Sequence, residues 1–374
     1  MHFAAYAQAH RMPGYVHRAA RQLQQCRTAA MGGHIQACPH GHVERKIFHS
    51  CRHRLCPQCN AVPREQWLLR MRERLIRCAH HHLIFTIPHE LHPLWRWNRA
   101  WCTQGLFDCV ADTLRSLTAD ARYLGAQSGF ICTLHTWGRS LSFHPHIHCL
   151  ISDGGLDSRG EWARPRKSCF LPMRVVMALF RGKLLAKLRE AIERGELRVP
   201  PDTTMQRCLN LLNRLGRLKW NVHLRERYAH GEGVMIYLAR YLKGGALRNT
   251  QLTQLDERCV GFRYQPHGHP EASTLMLKPE VFMARYLQHT PLPHVPLVRH
   301  YGLYATCNSQ RLDLARHLHQ QLALTRQSAT LRCAEYFERC IAQNATPMRC
   351  PECQCLLIVR EHFARQQAPP CARS

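Results

Sequence analysis

The chain has 374 residues, room for two or three domains and a sizeable packed core. Lys and Arg number 52 against 25 Asp and Glu, for a net charge of +27 and a pI near 9.9. An excess of that size implies a polyanionic partner, nucleic acid before any other, with a basic surface made for solubility or assembly as the plainer alternative. No stretch reaches membrane-spanning length, and the first ten residues have neither a basic leader nor a sustained apolar run. That sets aside the secretory and membrane classes, so the 20 cysteines read as thiols in a reducing, cytoplasmic compartment.

Residues 14–30 read as a helix that ends near Met31-Gly32-Gly33. The next segment carries Cys38-Pro-His40-Gly-His42, then Cys51-x4-Cys56-Pro-Gln-Cys59. A Cys-Pro-x-Cys turn points two thiolates inward across a tight bend, the geometry of a zinc knuckle, so Cys56 and Cys59 are predicted ligands. Cys38 and Cys51 complete four sulfurs, with His40 or His42 as replacements. Arg45, Lys46, Arg52, His53 and Arg54 interleave with them, as a module lying against phosphates needs.

The pattern then predicts an arginine-rich amphipathic helix over Trp67–Cys78, with Trp67, Leu68, Met71 and Leu75 on its apolar stripe. A strand over His82–Ile87 is ended by Pro88, and a helix covers about 94–117. Gly129–Thr136 and the stretch opening at Phe143 form an antiparallel hairpin around Gly138-Arg-Ser-Leu-Ser. Helices follow over 172–194 and 203–216, then a strand over Lys219–Leu224. A glycine-bounded helix carries Tyr237 and Tyr241 and stops at Gly244-Gly245. Residues 246–258 read as a polar connector, Val260–Tyr264 with Ser273–Leu277 as a second hairpin, and 278–289 as a helix. Pro291, Pro293 and Pro296 mark a linker before a helix over 308–324. Cys350-Pro-Glu-Cys353-Gln-Cys355 is a second knuckle half-site, with Cys333, Cys340 or Cys371 as partners by position.

Residues two apart on a strand project to one face, so His146 and His148 present two imidazoles side by side, half of a divalent-metal site. The spacing alone is common: chance gives roughly two His-x-His pairs at this histidine content. The sequence has six. Context separates this pair, which brackets Ile147 and opens an apolar strand. His135, on the neighbouring strand, is the candidate third ligand. Tyr237 and Tyr241 fall four apart on one helical face beside Arg240 and Lys243, where chance gives about 0.3 such pairs. Two core aromatics on an amphipathic helix are the plain alternative. A metal beside a tyrosine pair points to covalent chemistry on a phosphodiester. A phenol with a pKa of about 10 is a poor nucleophile at neutral pH unless a cation polarises the phosphate. No G-x-x-x-x-G-K-[ST] loop occurs, consistent with chemistry that needs no nucleotide cofactor.

His146-Ile147-His148 followed by Tyr237-x3-Tyr241 resembles the two-tyrosine branch of the HUH endonuclease superfamily. Ser50-Cys51-Arg-His-Arg-Leu-Cys56-Pro-Gln-Cys59 resembles the zinc-binding domain of the IS91-type insertion-sequence transposases. Phe85–Leu91, His135–Gly138 and Arg299–Gly302 match further segments of that family. The family usually carries Cys-x-x-Cys-Gly where this chain has Cys38-Pro-His40-Gly41-His42, which leaves His42 or Cys51 as the second ligand.

The resemblance implies an α+β fold with a central antiparallel sheet of HUH type flanked by helices. It implies an N-terminal helix and zinc module over 1–66, a catalytic domain over 67–248, and a small basic C-terminal α+β region over 249–374 with the second knuckle. Structural Zn2+ is then held by ligands among Cys38, His42, Cys51, Cys56 and Cys59, and catalytic Mg2+ or Mn2+ by His146, His148 and His135. Tyr237 and Tyr241 are the implied nucleophiles, and Arg52, Arg54, Arg240 and Lys243 the DNA contacts. The implied reaction cuts one DNA strand at a transposon end to a 5′-phosphotyrosine and a free 3′-hydroxyl. Rolling-circle transposition through single-stranded DNA in a bacterial cytoplasm is the implied process. A rolling-circle replication initiator and a non-catalytic zinc-dependent DNA-binding protein are the alternatives.

Overall fold

Two neighbouring strands set the core of one unit of the molecule, because their alternate residues are apolar. Phe130, Cys132 and Leu134 pair across the ladder with Ile151, Cys149 and Ile147, so all six share one face, and all six are buried. The computed structural model describes residues 3–59, 61–165, 170–229, 245–322 and 349–365. By contacts the chain forms two compact units, each discontinuous in sequence. One takes in 74–243 and 291–324; the other takes in 1–73, 244–290 and 325–374. Strands and helices are numbered below in chain order.

The first unit is built on a five-stranded antiparallel sheet of order β12-β4-β5-β3-β8. Its strands are β3 (His80–Thr86), β4 (Gly129–Trp137), β5 (Phe143–Ser152), β8 (Val222–Tyr228) and β12 (Val298–Gly302). A two-stranded ribbon of β6 (Gly155–Leu156) and β7 (Trp162–Ala163) follows β5. Helices α4 (His92–Trp97), α5 (Arg99–Ala119), α6 (Met173–Glu193), α7 (Met205–Arg217) and α9 (Ser309–Leu318) complete the unit. Leu106, Phe107, Val110 and Leu114 of α5 and Val176, Phe180 and Leu184 of α6 enter one buried cluster with the apolar face of β3, β4 and β5. Each such side chain contributes about 1.5–3 kcal/mol on burial, so this layer holds the sheet rigid behind its other face. Helix α7 begins where Thr204 caps it, its hydroxyl accepting from the Arg207 amide at 3.2 Å.

The segment after Pro291, Pro293 and Pro296 is more than a linker. Val298–Gly302 adds β12 to the outer edge of β4. It ends at Gly302, whose φ of +57° and close approach to Ser128 leave no room for a side chain: a Cβ there would stand 1.9 Å from the Ser128 carbonyl oxygen.

The second unit carries two small antiparallel sheets. One has the order β13-β1-β2, from β1 (Gly33–Ala37), β2 (Glu44–Phe48) and β13 (Ile358–Phe363). The other has the order β11-β10-β9, from β9 (Leu252–Leu255), β10 (Val260–Tyr264) and β11 (Ser273–Leu277). Part of the predicted polar connector is thus a strand, an exposed edge whose side chains gave no apolar signal. Helices α1 (Phe3–Ala9), α2 (Gly14–Gln25), α3 (Ala61–Arg74) and α8 (Pro279–Leu287) accompany these sheets. Buried Tyr286 of α8 donates its hydroxyl to the Leu55 carbonyl, tying that helix to the cysteine-rich loop. The whole is α+β, antiparallel sheets flanked by helices, as the sequence predicts.

Candidate active site and metal centres

Opposite its apolar face, the sheet presents histidines. His146 and His148 alternate on β5; His135 of β4 lies directly across from His146, and Ile84 of β3 across from His148. Ring nitrogens of His135, His146 and His148 all lie within 4.8 Å of one another, and all three residues are buried. Backbone bonding decides the tautomer of His146. Its Nδ1 stands 2.6 Å from the His144 carbonyl oxygen, which can only accept, so the proton sits on Nδ1 and Nε2 keeps its lone pair.

That lone pair faces His148 Nε2 at 3.0 Å, while His148 Nδ1 meets His82 Nε2 at 3.0 Å. Either His148 donates to His146, or it donates to His82 and both Nε2 lone pairs converge on one point. The second arrangement is that of a pair of metal ligands with an outer partner orienting one of them. His135 is fixed by stacking on Trp137, ring centroids 4.4 Å apart.

The rings of His82, His146 and His148 are neutral at physiological pH, as ligation requires. Burial pulls His146 down to about 4 and His148 well below the ordinary imidazole value, with His135 and His146 adding to the effect on His148. Burial, then Arg225 and His146, bring His82 down to about 3. Three imidazole nitrogens on a rigid sheet would leave coordination positions open around an ion, unlike the closed four-ligand set of a structural site.

Seven of the cysteines, with His42, gather into two four-residue groups in the other unit. Cys26, Cys51, Cys56 and Cys59 form the first, with ligand atoms within 4.8 Å of one another. Cys51 and Cys59 sulfurs are 3.6 Å apart, and Cys26 and Cys56 sulfurs 3.5 Å. A tetrahedron of Zn–S bonds of about 2.3 Å has edges of about 3.8 Å, so the set fits zinc closely. Backbone amides of Cys51 and His53 donate to the sulfurs of Cys26 and Cys51, bonds that favour thiolates. The thiols share their ionisation unevenly. The bond from Cys51, with those from Cys26 and Cys59, holds Cys56 down to about 4. The bond with Cys56 and burial hold Cys51 far up, and burial pushes Cys59 up to about 11. The second group is Cys38, His42, Cys350 and Cys353.

The predicted ligands are thus divided. Cys51, Cys56 and Cys59 come together, but Cys38 and His42 stand in the second group, and the fourth sulfur of the first is Cys26. Cys26 follows α2 and has no cysteine near it in sequence, so spacing carried no signal of it. Among the described residues, Cys350 and Cys353 group with Cys38 and His42; Cys333, Cys340 and Cys371, the partners suggested by position, lie outside the described residues. In the sequence His82 stands out only as the start of a strand and as a member of one of the six His-x-His pairs. Its clue was pairing: β3 lies beside β5, with His82 on the face that carries His148.

Of the predicted DNA contacts, Arg52 is exposed, whereas Arg54 is half-buried and its guanidinium is pulled down to about 10 by burial. Tyr237, Tyr241, Arg240 and Lys243 lie outside the described residues. Among the described residues, no helix is long and apolar enough to cross a membrane.

Comparison with known proteins bears directly on this arrangement. The family described as "Transposase zinc-binding domain" matches residues 1–87, and the one described as "Putative transposase" matches 129–311. The first match spans the four cysteines of the first group, and the second spans His135, His146 and His148. The "Putative transposase y4qJ" of Sinorhizobium fredii is 33% identical over 357 residues, covering 93% of this chain and 89% of that protein. The transposase for insertion sequence element IS801 of Pseudomonas savastanoi pv. phaseolicola is 31% identical over 274 residues, 72% of this chain and 64% of that protein. No solved structure matches. A zinc-binding module, a transposase domain and similarity along nearly the whole length agree: the chain belongs to the IS91 family of insertion-sequence transposases.

Proposed function

We propose that this transposase nicks and rejoins single-stranded DNA through a 5′-phosphotyrosine intermediate in rolling-circle transposition, in the cytoplasm of a bacterial cell. The observation that carries the reading is the group of three buried imidazoles on one sheet face, His135, His146 and His148, with burial holding the latter two neutral. Mg2+ or Mn2+ bound by these nitrogens would neutralise charge developing on the scissile phosphate.

The remaining steps belong to the chain. The hydroxyl oxygen of Tyr237 or Tyr241 bonds to phosphorus as the bond to the 3′ oxygen breaks. The phenol gives up its proton, the departing oxygen becomes a 3′-hydroxyl, and the 5′-phosphate stays on tyrosine. A 3′-hydroxyl of another strand then attacks the phosphotyrosine and restores the phenol. Phosphodiester bonds are conserved throughout, so no nucleotide cofactor enters. A second tyrosine lets one strand end be held while another phosphate is attacked.

Chain connectivity is compatible with this. Strand β8 ends at Tyr228, and back along the strand Phe85 pairs with Val222 at the level of the histidines. That is about 20 Å of strand. The nine residues from Tyr228 to Tyr237 can span up to about 30 Å.

The test incubates the purified chain with end-labelled single-stranded oligonucleotides bearing transposon ends, with Mg2+ or Mn2+, and resolves the products on a denaturing gel. A retarded protein–DNA band is expected, lost in the Tyr237→Phe, Tyr241→Phe double variant. A full yield of cleavage and strand transfer in that variant would refute the proposal.

A further inference from the structure

We propose that Cys38, His42, Cys350 and Cys353 form a second zinc site, which fastens the segment 349–363 onto the N-terminal hairpin and completes the zinc-binding module. The inference is independent of the tyrosine chemistry.

Two separate features of the structure meet at this point. The first is the donor set. Cys38 Sγ lies 3.4 Å from Cys353 Sγ and 3.7 Å from His42 Nδ1, and Cys350 Sγ lies 3.7 Å from the same nitrogen. A tetrahedral zinc with three thiolates and one imidazole has edges of about 3.5–3.8 Å. The His40 amide donates to Cys38 Sγ at 3.4 Å, as in the first group, where amides serve Cys26 and Cys51. Four ligands close the coordination sphere, which marks the site as structural.

The second feature is the sheet. Strand β13 pairs with β1 from Ala37 opposite Ile358 to Gly33 opposite Phe363. Cys38 is the residue after Ala37, His42 sits in the turn to β2, and the Cys350-Pro-Glu-Cys353 turn lies just before β13. Strand addition therefore delivers one half-site onto the other, across 315 residues of sequence. Gly33 is part of the fit: a Cβ there would stand 2.5 Å from the Phe363 ring.

Beside its ladder the strand has the Arg360–Glu44 ion pair at 3.3 Å and ring contacts of His362 with His34 and of Phe363 with Phe48, but its first two residues bury little. Ile358 and Val359 are 54% and 48% exposed, and β13 pairs on one side only. A six-residue edge strand that buries so little apolar surface does not offset its ordering entropy through ladder hydrogen bonds alone. A metal cross-link at its start supplies the missing constraint. Cys353 also groups with His40 and Cys355, but that set has three members and leaves Cys38 and Cys350 unused.

The experiment measures zinc per chain by plasma mass spectrometry on the full-length protein. A His146→Ala, His148→Ala, His362→Ala background removes any contribution from the two histidine groups, His135/His146/His148 and His34/His49/His362. Two zinc ions per chain are expected, falling to one in Cys350→Ser, Cys353→Ser and to one in Cys56→Ser, Cys59→Ser, and staying at two in Cys355→Ser. Because the serine variants can unfold the module, His42→Cys is examined with Co2+ in place of zinc. It should keep both metals while its visible d–d bands change from a three-sulfur, one-nitrogen to a four-sulfur pattern. One zinc in the parent chain, two zincs retained in Cys350→Ser, Cys353→Ser, loss in Cys355→Ser, or an unchanged cobalt spectrum in His42→Cys would each overturn the assignment.

Discussion

At the scale of single residues, His148 is held from both sides: its Nδ1 meets His82 and its Nε2 meets His146, each at 3.0 Å. An imidazole that accepts a proton from His148 Nδ1 fixes the ring and raises the basicity of the opposite nitrogen. His82→Ala should therefore raise the Mn2+ concentration needed for half-maximal DNA cleavage by about 10–100-fold, with the tyrosines untouched. An unchanged metal titration would show that His82 does nothing for the cluster.

A second histidine gives a pH signature away from any ligand. Burial, and then Arg74, pull His300 down to about 4 from 6.5. Between those values the unfolded chain binds the proton and the folded one does not, so stability rises with pH across the window. Acidification from pH 6.5 to 4 should cost on the order of 1–3 kcal/mol at this group. Denaturant melts of His300→Gln against the parent chain should show a correspondingly shallower loss over that range. Parallel pH profiles would contradict the assignment.

At the scale of elements, legibility followed burial on one face. Strands β4 and β5 were readable because one side packs on α5 and α6 and the other carries histidines, so the alternation survives in the sequence. The edge strands β9, β12 and β13 were not, since each pairs on one side only and has few wholly buried side chains. The cysteine ligands show the same division. Cys56 and Cys59 share a turn and announce themselves, whereas Cys26 comes from a helix end and Cys38 finds Cys350 and Cys353 only through β13. Long-range pairing of that kind leaves no local pattern.

Two element-level outcomes follow from backbone geometry. Gly302→Ala must displace the Ser128 carbonyl and adopt a positive φ, so it should destabilise by at least about 1 kcal/mol in a denaturant melt. Thr204→Ala removes the cap of α7 and should cost about 1 kcal/mol in the same assay. A neutral result at either position would mean that the local backbone relaxes freely.

At the scale of the whole molecule, the two units differ in what sustains them. The sheet unit is held by a large apolar cluster, while the cysteine unit is built around two groups of side chains that could ligate metal. A strong chelator should therefore introduce a separate, lower thermal transition and leave the upper one in place. A single melting transition that does not move on chelation would argue against structural zinc. The net charge of +27 serves the common purpose of both units, attraction to a polyanion, and accounts for DNA binding without specifying sequence.

The central claim joins the histidine face to the tyrosine pair in one reaction. Its most direct measurement traps the chain on single-stranded DNA, digests protein and nucleic acid, and locates the residual nucleotide by peptide mass spectrometry. The account predicts a nucleotide mass on the peptide carrying Tyr237 or Tyr241, and none from a His146→Ala, His148→Ala chain. A nucleotide attached elsewhere, or adduct formed as readily without the two histidines, would contradict it.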